Sequence, residues 1–587
     1  MTILSSLVRA YDRLPDAPPF GYSSEKIGIV VGLKEDGTVA TVTDWREGDG
    51  RKAKPRAMLV PQPVKRTAGI ASNFLWDKTS YVLGVTAGEG RRTADEHRDF
   101  VERHLEAIGD SDDVGLKALA LFLKNWTPEQ FTGPLWPEEL KDQNVAFVLE
   151  TDRRASLFLH LRPAAKTLWT RVSAGEGDRT EICLVTGEPG AVARLHPSIK
   201  GVWGAQSSGA ALVSFNLDAF TSYGHEQGDN APVSEAAAFA YTTVLNRFLE
   251  RDSGHRIQIG DASTVFWADA ENKAKQAEAL FSFFVDASDD GVDDAKHATK
   301  QIREKLDLIR KGLPLEKIEP ELAQGVRFYV LALAPNAARL SVRFFFEDDF
   351  GHLTENYQKF IADMRVEPPP RDEYPPLWRY LLETAVLGKR ENVAPNLAGE
   401  WMRAILAGAH YPLTLLSSVL TRIRADGEVN ALRAGILKAL LIRNFNMEAP
   451  VALDPDNKNR GYLLGRLFAL YEEIQRAALG GKVNATIKDK FYGSASATPR
   501  KIFAVLESGS ANHLAKVRKM SAGREINLQR QLRAIMDLMV PSDEPGEDPF
   551  PISLSAQEQA WFGLGYHHQR SDFFKSKTDT TPDGETA

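Results

Sequence analysis

The sequence predicts an α+β fold followed by an all-helical one, and three observations carry that expectation. Strand-like runs and their turn residues fall before residue 350. The stretch "VEPPPRDEYPP" (366–376) clusters prolines, which block both helix and central strand. Beyond it, almost every segment has helical periodicity. The 587 residues are enough for about three to four domains. The expected plan is an N-terminal α+β domain at 1–270 carrying a Gly-rich loop, then an α+β connector at 271–365 that completes it. A helical domain at 366–587 follows, of which 447–587 is a bundle.

In chain order, "MTILSSLVRAYDRL" reads as an amphipathic helix, because Arg9, Asp12 and Arg13 interrupt it too often for a signal peptide. "KIGIVVGLKEDGTVATVTDW" reads as a hairpin turning at Asp36-Gly37. Further strands are expected at "SYVLGV", "VAFVLET", "EICLVTG" and "AALVSFN", with helices such as 94–107 between them. That order lacks the regular alternation of a doubly wound sheet. "SEAAAFAYTTVLNRFLE" (234–250) is a helix with Ser234 as its N-cap. "DASDDGVDD" (286–294) reads as an acidic linker; as a calcium loop it fails, since His297 stands where a bidentate Glu is needed. "VRFYVLALAPNAARLSVRFFFED" (326–348) reads as two strands around a Pro-Asn turn. Helices are expected near 460–478, 499–507, 511–521, 524–540 and 554–570.

Composition is that of a soluble globular protein, 43% hydrophobic and 26% charged. A single cysteine, Cys183, excludes an internal disulfide framework and a cysteine zinc site, and suits a reducing cytosol. No apolar run approaches the roughly eighteen residues of a membrane helix, so a cytoplasmic protein without membrane partners is expected. The net charge of −7 does not advertise nucleic acid, but the charge is segregated. Residues 51–66 hold Arg51, Lys52, Lys54, Arg56, Lys65 and Arg66 and no acid. Residues 482–533 hold eleven Lys and Arg against Asp489, Glu507 and Glu525.

The stretch "GVWGAQSSGAALVSFN" (201–216) stands out, because glycine-dense backbone is kept where something must come close. Gly204 to Gly209 has phosphate-loop spacing, but Ala210 and Ala211 replace the Lys and Ser/Thr that chemistry requires. "AQSSG" brushes the serine-hydrolase elbow, which would make Ser207 or Ser208 a nucleophile, yet the strand-like run follows the serines instead of preceding them. No metal-ligand cluster is evident; His567 and His568 lack a third partner, and no cofactor is implied. Two readings stay open for the loop. Its amides and hydroxyls lie in the groove of a duplex, or its glycines let two strands cross. Asn216, "TSYGHEQGDNAPVS" and Asn230 continue the same polar chemistry.

These residues resemble a known family. "KGVWGAQSSGAALVSFNLDAFTSYGHEQGDNAPVSEAAAFAYTTVLNRFL" (200–249) is similar to the signature region of the large subunit of the type I-C CRISPR Cascade complex, the Csd-type, eighth-class Cas protein. The resemblance continues in order through "SNFLWDKTSYVLG" (72–84), "IGDASTVFWA" (259–268), "LALAPNAARLSVRFF" (331–345), "NRGYLLGRLFALYEEIQ" (459–475), "NATIKDKFYGSASATP" (484–499) and "GLGYHHQR" (563–570). It implies a non-catalytic subunit of an RNA-guided surveillance complex, in which base pairing reads sequence and the protein reads a short flanking duplex motif, the PAM. It implies as partners the guide crRNA, double-stranded target DNA and its displaced strand. The protein partners it implies are the fifth-, seventh- and eleventh-class Cas subunits and the third-class helicase-nuclease. It further implies that R-loop formation is promoted here, and that a small helical subunit is translated from the 3′ part of the same gene.

With that family in hand, phosphate contacts are expected from Lys54, Arg56, Lys65 and Arg66, and base-edge contacts from Ser72, Asn73 and Lys78. The bland alternatives are a solvated face for Lys65 and Arg66 and a loop cap for Asn73. Gly204, Gln206, Ser207, Ser208 and Gly209, with Asn216 and Asn230, form the expected second duplex contact, Gln206 wedging at the first base pair. Lys488, Lys490, Arg500 and Lys501 around Phe491 and Tyr492, then Lys516, Arg518 and Lys519, are expected along the displaced strand. The alternative for the two rings is core, taken for Phe491 and left open for Tyr492.

Overall fold

The structure is a computed structural model, and it describes residues 2–14, 17–48, 53–64, 66, 69–109, 111–173, 180–270, 273–285, 296–480, 485–539 and 548–574. The chain forms two compact units, Met1–Pro197 with Ser214–Val244, and Ser198–Val213 with Leu245–Ala587.

In the first unit, helix α1 (Ile3–Arg13) precedes β1 (Tyr22–Ile27), β2 (Ile29–Leu33), β3 (Val39–Asp44), β4 (Arg56–Pro61) and β5 (Trp76–Lys78). Then come α2 (Thr79–Val82), α3 (Thr93–Ile108), α4 (Val114–Asn125), β6 (Asn144–Leu149), α5 (Pro163–Ser173), β7 (Thr180–Ile182), β8 (Pro189–Ala191) and α6 (Glu235–Phe248). The four-stranded sheet has the order β3-β2-β6-β5, with β2 parallel to β6 and the other pairs antiparallel. Both faces of its central strands are covered, so β2 reads as an unbroken apolar run. Ile29, Val31 and Phe147 pack against Phe100, Leu119 and Phe122, while Val30 and Val148 join Trp76 on the opposite side. The expected hairpin at Asp36-Gly37 is the β2–β3 pair. Ser234 caps α6, its Oγ accepting from Ala237 N at 3.3 Å.

Several expected strands are absent. "SYVLGV" is a helical turn, α2, and a following bend. "EICLVTG" is extended only to Ile182, where a tight turn closed by Gly187 N to Cys183 O at 2.8 Å takes over. "AALVSFN" forms two isolated bridges and no strand.

The second unit contains an antiparallel sheet, order β12-β11-β10-β9, from β9 (Arg256–Ile259), β10 (Ala262–Asp269), β11 (Arg327–Asn336) and β12 (Arg339–Asp349). The β11–β12 hairpin turns at Ala337-Ala338, two residues past the expected Pro-Asn, because Pro335 and Asn336 are still paired with Leu340 and Arg339. Helices α7 (Ala274–Val285), α8 (Lys296–Arg310), α9 (Leu315–Ile318), α10 (Pro320–Ala323) and α11 (Phe350–Met364) pack around it. The acidic run 286–294, and with it the calcium-loop question, lies outside the described residues.

After the prolines come α12 (Leu377–Leu382), α13 (Pro395–Leu406), α14 (Leu413–Asp426), α15 (Ala431–Phe445), α16 (Arg460–Leu479), α17 (Ile487–Ala497), α18 (Pro499–Met520), α19 (Ala522–Leu538) and α20 (Ala556–Asp572). The expected helices at 499–507 and 511–521 are one, α18; Gly509 costs helix propensity but does not break it. One core runs from Ile257 on the sheet to Tyr566 on α20. Phe360 of α11 meets Tyr380 and Trp401 at ring distances of 5.9 and 6.4 Å across the proline stretch. Residues 366–376 therefore link parts of one unit, and the compact division falls elsewhere than at 270 or 366. The bundle expected at 447–587 also shares its core with α15: a Cβ at Gly563 of α20 would lie 2.6 Å from Leu437.

Candidate nucleic-acid interface

The loop 198–213 is stapled at its base and open at its tip. Ile199 and Ala210 exchange two backbone hydrogen bonds of 2.9 Å, and Ala211 extends the pairing to the β11–β12 turn through Ala338 and Leu340. Lys200 N donates to Asn246 Oδ1 at 2.7 Å, and Trp203 N to Ser263 Oγ at 2.9 Å. Val202 and Ile199 are buried as anchors, whereas Gly204, Gln206, Ser207 and Ser208 are exposed. Gly209 has φ +94°, and a Cβ there would lie 2.9 Å from Ile199 O, so its near neighbour is the loop's own backbone. Gly204, at φ +75°, meets nothing closer than Pro335 at 3.4 Å. Sequence reasoning missed Trp203, whose ring is 67% exposed; a lone Trp in a polar glycine-rich loop was the available signal.

Residues 72–77 turn out to be interior, with Arg66 at their exposed edge. Arg66 bonds the Asp77 carboxylate, donates to Ala71 O at 2.6 Å and lies 4.1 Å over the Tyr81 ring. Burial pushes the Asp77 carboxyl up, while Asn73 N and the Arg66 guanidinium oppose that shift. Ser72 is fully buried; its N–H donates to Asp99 at 2.8 Å and its carbonyl accepts from Arg103. Asn73 is 5% exposed, its N–H donating to Asp77 and its Oδ1 accepting from Val64 N at 3.0 Å. Asn73 Oδ1 and Arg66 are thus spent on the fold as side-chain partners of irregular backbone, and Ser72 is withdrawn by burial, its Oγ enclosed without a hydrogen-bond partner. Lys54, Arg56 and Lys78 remain exposed, Arg56 stacking 4.8 Å over Trp45. Arg51, Lys52 and Lys65 lie outside the described residues.

Asn216 is exposed. Asn230 is a staple: its Oδ1 accepts from Ser222 N at 2.9 Å and its Nδ2 donates to His225 and Gln227 carbonyls. That use of every amide atom removes it as a base reader.

Among the C-terminal candidates both rings pack on the core, Phe491 as expected and Tyr492, left open by the sequence, more deeply. Tyr492 is the core residue, edge-on to Phe468, Phe562 and Tyr566 at 5.4–5.7 Å, and Phe491 is half-buried. Lys488 is also half-buried, and burial lowers its pKa. Arg500 is engaged by Asp548 and by Phe550 O at 3.1 Å. Lys490, Lys501, Lys516, Arg518 and Lys519 are exposed. Arg518, Lys519, Gln529 and Arg533 line an open groove of about 900 Å³ between α18 and α19. His567 and His568 are buried, His568 Nδ1 lying 2.9 Å from Tyr462 Oη. Among the described residues no group of three His, Cys, Asp or Glu could hold a metal ion. No helix of the described residues is long and apolar enough to cross a membrane.

The chain belongs to the Cas_Csd1 family, "CRISPR-associated protein (Cas_Csd1)", whose model matches residues 7–574. This is the type I-C large-subunit family that the sequence strings resemble. No curated protein matches the chain.

Proposed function

We propose that this chain is the non-catalytic large subunit of a type I-C RNA-guided surveillance complex, reading a PAM duplex and helping to open it. The observation that supports this most is the loop 198–213, fixed at its base and presenting Gln206, Ser207 and Ser208 to solvent around Gly204, where backbone can be approached. Exposed Lys54, Arg56 and Lys78 supply sequence-indifferent phosphate contacts. Lys490, Lys501, Lys516, Arg518 and Lys519 suit the displaced single strand, by charge alone and without the ring stacking expected of Tyr492. Its partners are the guide crRNA, the fifth-, seventh- and eleventh-class Cas subunits and the third-class helicase-nuclease, in the cytoplasm.

Titration of the assembled complex against duplexes with and without the flanking motif tests the reading. Gln206→Ala lowers opening of motif-bearing DNA at least about tenfold, a single good base contact being worth about 1–3 kcal/mol, with assembly intact. Lys54→Ala with Arg56→Ala weakens all duplexes alike and reduces the salt slope by about two. Wild-type opening by the Gln206 variant removes the loop from the DNA interface.

A further inference from the structure

The loop after the stapled one presents an aromatic ring in a way the fold itself does not use. Ser222, Tyr223, Gly224 and His225 form a tight turn, closed by His225 N to Ser222 O at 2.9 Å, with φ +52° at Tyr223 and φ +77° at Gly224. Two consecutive positive φ angles define the turn that Asn-Gly or Asp-Gly ordinarily fills. Here the first position is a tyrosine, which gains no local hydrogen bond from the left-handed backbone and bears its steric cost. Its side chain is 98% exposed, so no packing within the chain offsets that cost.

The turn is nevertheless tied down by hydrogen bonds. All three amide contacts of Asn230 clamp it, through Ser222 N at 2.9 Å, His225 O at 3.1 Å and Gln227 O at 3.0 Å. Behind it, Gly228 is pressed on the backbone of 193–194: a Cβ there would lie 2.0 Å from Ala193 O. Arg194 Nε donates to Gln227 Oε1 at 2.7 Å. A strained, clamped, solvent-directed aromatic is preorganised for something outside the chain.

Local charge says what kind of partner. Residues 214–231 contain Asp218, Glu226 and Asp229 and no lysine or arginine. Asp218 and Glu226 are exposed beside the turn, and Leu217 is 54% exposed. Arg194, exposed and bonded to Gln227, is a cation at the same turn, so the exposed acids beside Tyr223 are Asp218 and Glu226; they disfavour a phosphate at the ring and favour a protein with an apolar pocket rimmed by cations. Tyrosine is among the residues that anchor protein interfaces, because its ring buries much area with few torsions to fix.

We infer that Tyr223 is the anchor of a protein–protein interface, docking into an apolar, basic-rimmed pocket on another subunit of the complex. The inference rests on the reading of the chain as a subunit of an assembly, and it moves Asn216 and Asn230 from the DNA side to a protein-facing loop. The test uses the assembled complex with its guide RNA, carrying benzoylphenylalanine in place of Tyr223 as a photo-crosslinker. The expected adduct joins the chain to another protein subunit, survives nuclease and is lost to protease. An adduct to RNA or DNA, or none, overturns the inference.

Tyr223→Asn adds a second readout, since asparagine suits the left-handed position. The free variant melts no lower than wild type, while its dissociation from the complex is at least tenfold faster; Tyr223→Phe keeps wild-type retention. Asp218→Lys with Glu226→Lys also loosens retention. Unchanged retention in Tyr223→Asn overturns the proposal. The DNA reading stands or falls separately, on duplex opening by Gln206→Ala in complexes whose Tyr223 is intact.

Discussion

The loop 198–213 and the α16–α20 helix pair are both marked in the sequence by glycine beside a large aromatic, and they use it for opposite purposes. In the helix pair, Cβ atoms at Gly465 and Gly565 would lie 2.1 Å from Phe562 O and 2.2 Å from Tyr462 O, and one at Gly461 2.5 Å from Glu558 O. Spacing of four residues puts Gly461 and Gly465 on one helix face, and that face lies directly on the backbone of its neighbour. In the loop, Gly209 faces its own chain in the same way, but Gly204 faces almost nothing. A glycine whose missing Cβ is already claimed by backbone belongs to the fold. One whose missing Cβ opens on solvent is available to a ligand.

The largest effect expected from this contrast is at Gly465. Gly465→Val forces side-chain atoms into the Phe562 carbonyl and the Tyr566 amide, 2.1 and 2.8 Å away, neither of which can rotate aside. Overpacking of this kind costs about 3 kcal/mol, and here the pair can relieve it only by parting. Urea unfolding of the purified chain should show a midpoint far below wild type. A near-wild-type midpoint breaks the comparison, since the helices would then tolerate separation.

Acid should separate the two regions next. Burial holds His567, on α20, neutral, with its pKa pushed down to about 4 from 6.5. The folded state therefore binds fewer protons than the unfolded state between those values, so stability is complete above pH 6.5 and falls toward pH 4. A shift of this size is worth on the order of 3 kcal/mol. In the first unit, His104 and His160, also pushed down to about 4 by burial, add to the slope. The segment 198–213 holds no Asp, Glu or His, so it contributes nothing. Unfolding midpoints measured across this range check the sign; a flat profile refutes the buried neutral state.

The same contrast explains what the sequence could and could not tell. Local rules carried the β2–β3 hairpin, the Ser234-capped helix and the β11–β12 pair, because turn chemistry and periodicity are short-range. They failed where a distant partner decides. Arg66 and Arg500 read as free cations until Asp77 and Asp548 pair with them, although both arginines stay at the surface. Ser72 and Asn73 read as base contacts, yet both are buried, their backbone N–H groups held by Asp99 and Asp77 and the Asn73 Oδ1 taken by Val64 N. Tyr492 and Phe491 are adjacent on α17, and only the positions of α16 and α20 determine which one is enclosed. Within the candidate site, the exposed Gln206, Ser207 and Ser208 were legible as a polar loop. Trp203 was passed over despite its polar, glycine-rich surroundings, since an aromatic in sequence reads as core by default.

The smallest effect sharpens the comparison inside one loop. Gly209→Ala and Gly204→Ala both place an L side chain at positive φ, +94° and +75°, and share a backbone strain of about 1–2 kcal/mol. Only Gly209→Ala adds a Cβ at 2.9 Å from Ile199 O, in the middle of the Ile199–Ala210 pairing. Hydrogen exchange at the Ile199 and Ala210 amides should therefore quicken in Gly209→Ala and stay near wild type in Gly204→Ala, whose nearest neighbour is Pro335 at 3.4 Å. Duplex opening should report the opposite feature. Gly204→Ala leaves the staple closed but fills the space where a groove would approach the backbone, so it slows opening without loosening the loop. If Gly204→Ala quickened exchange as much as Gly209→Ala, both glycines would serve the crossing of two chain segments, and the loop would lose its claim to an external ligand.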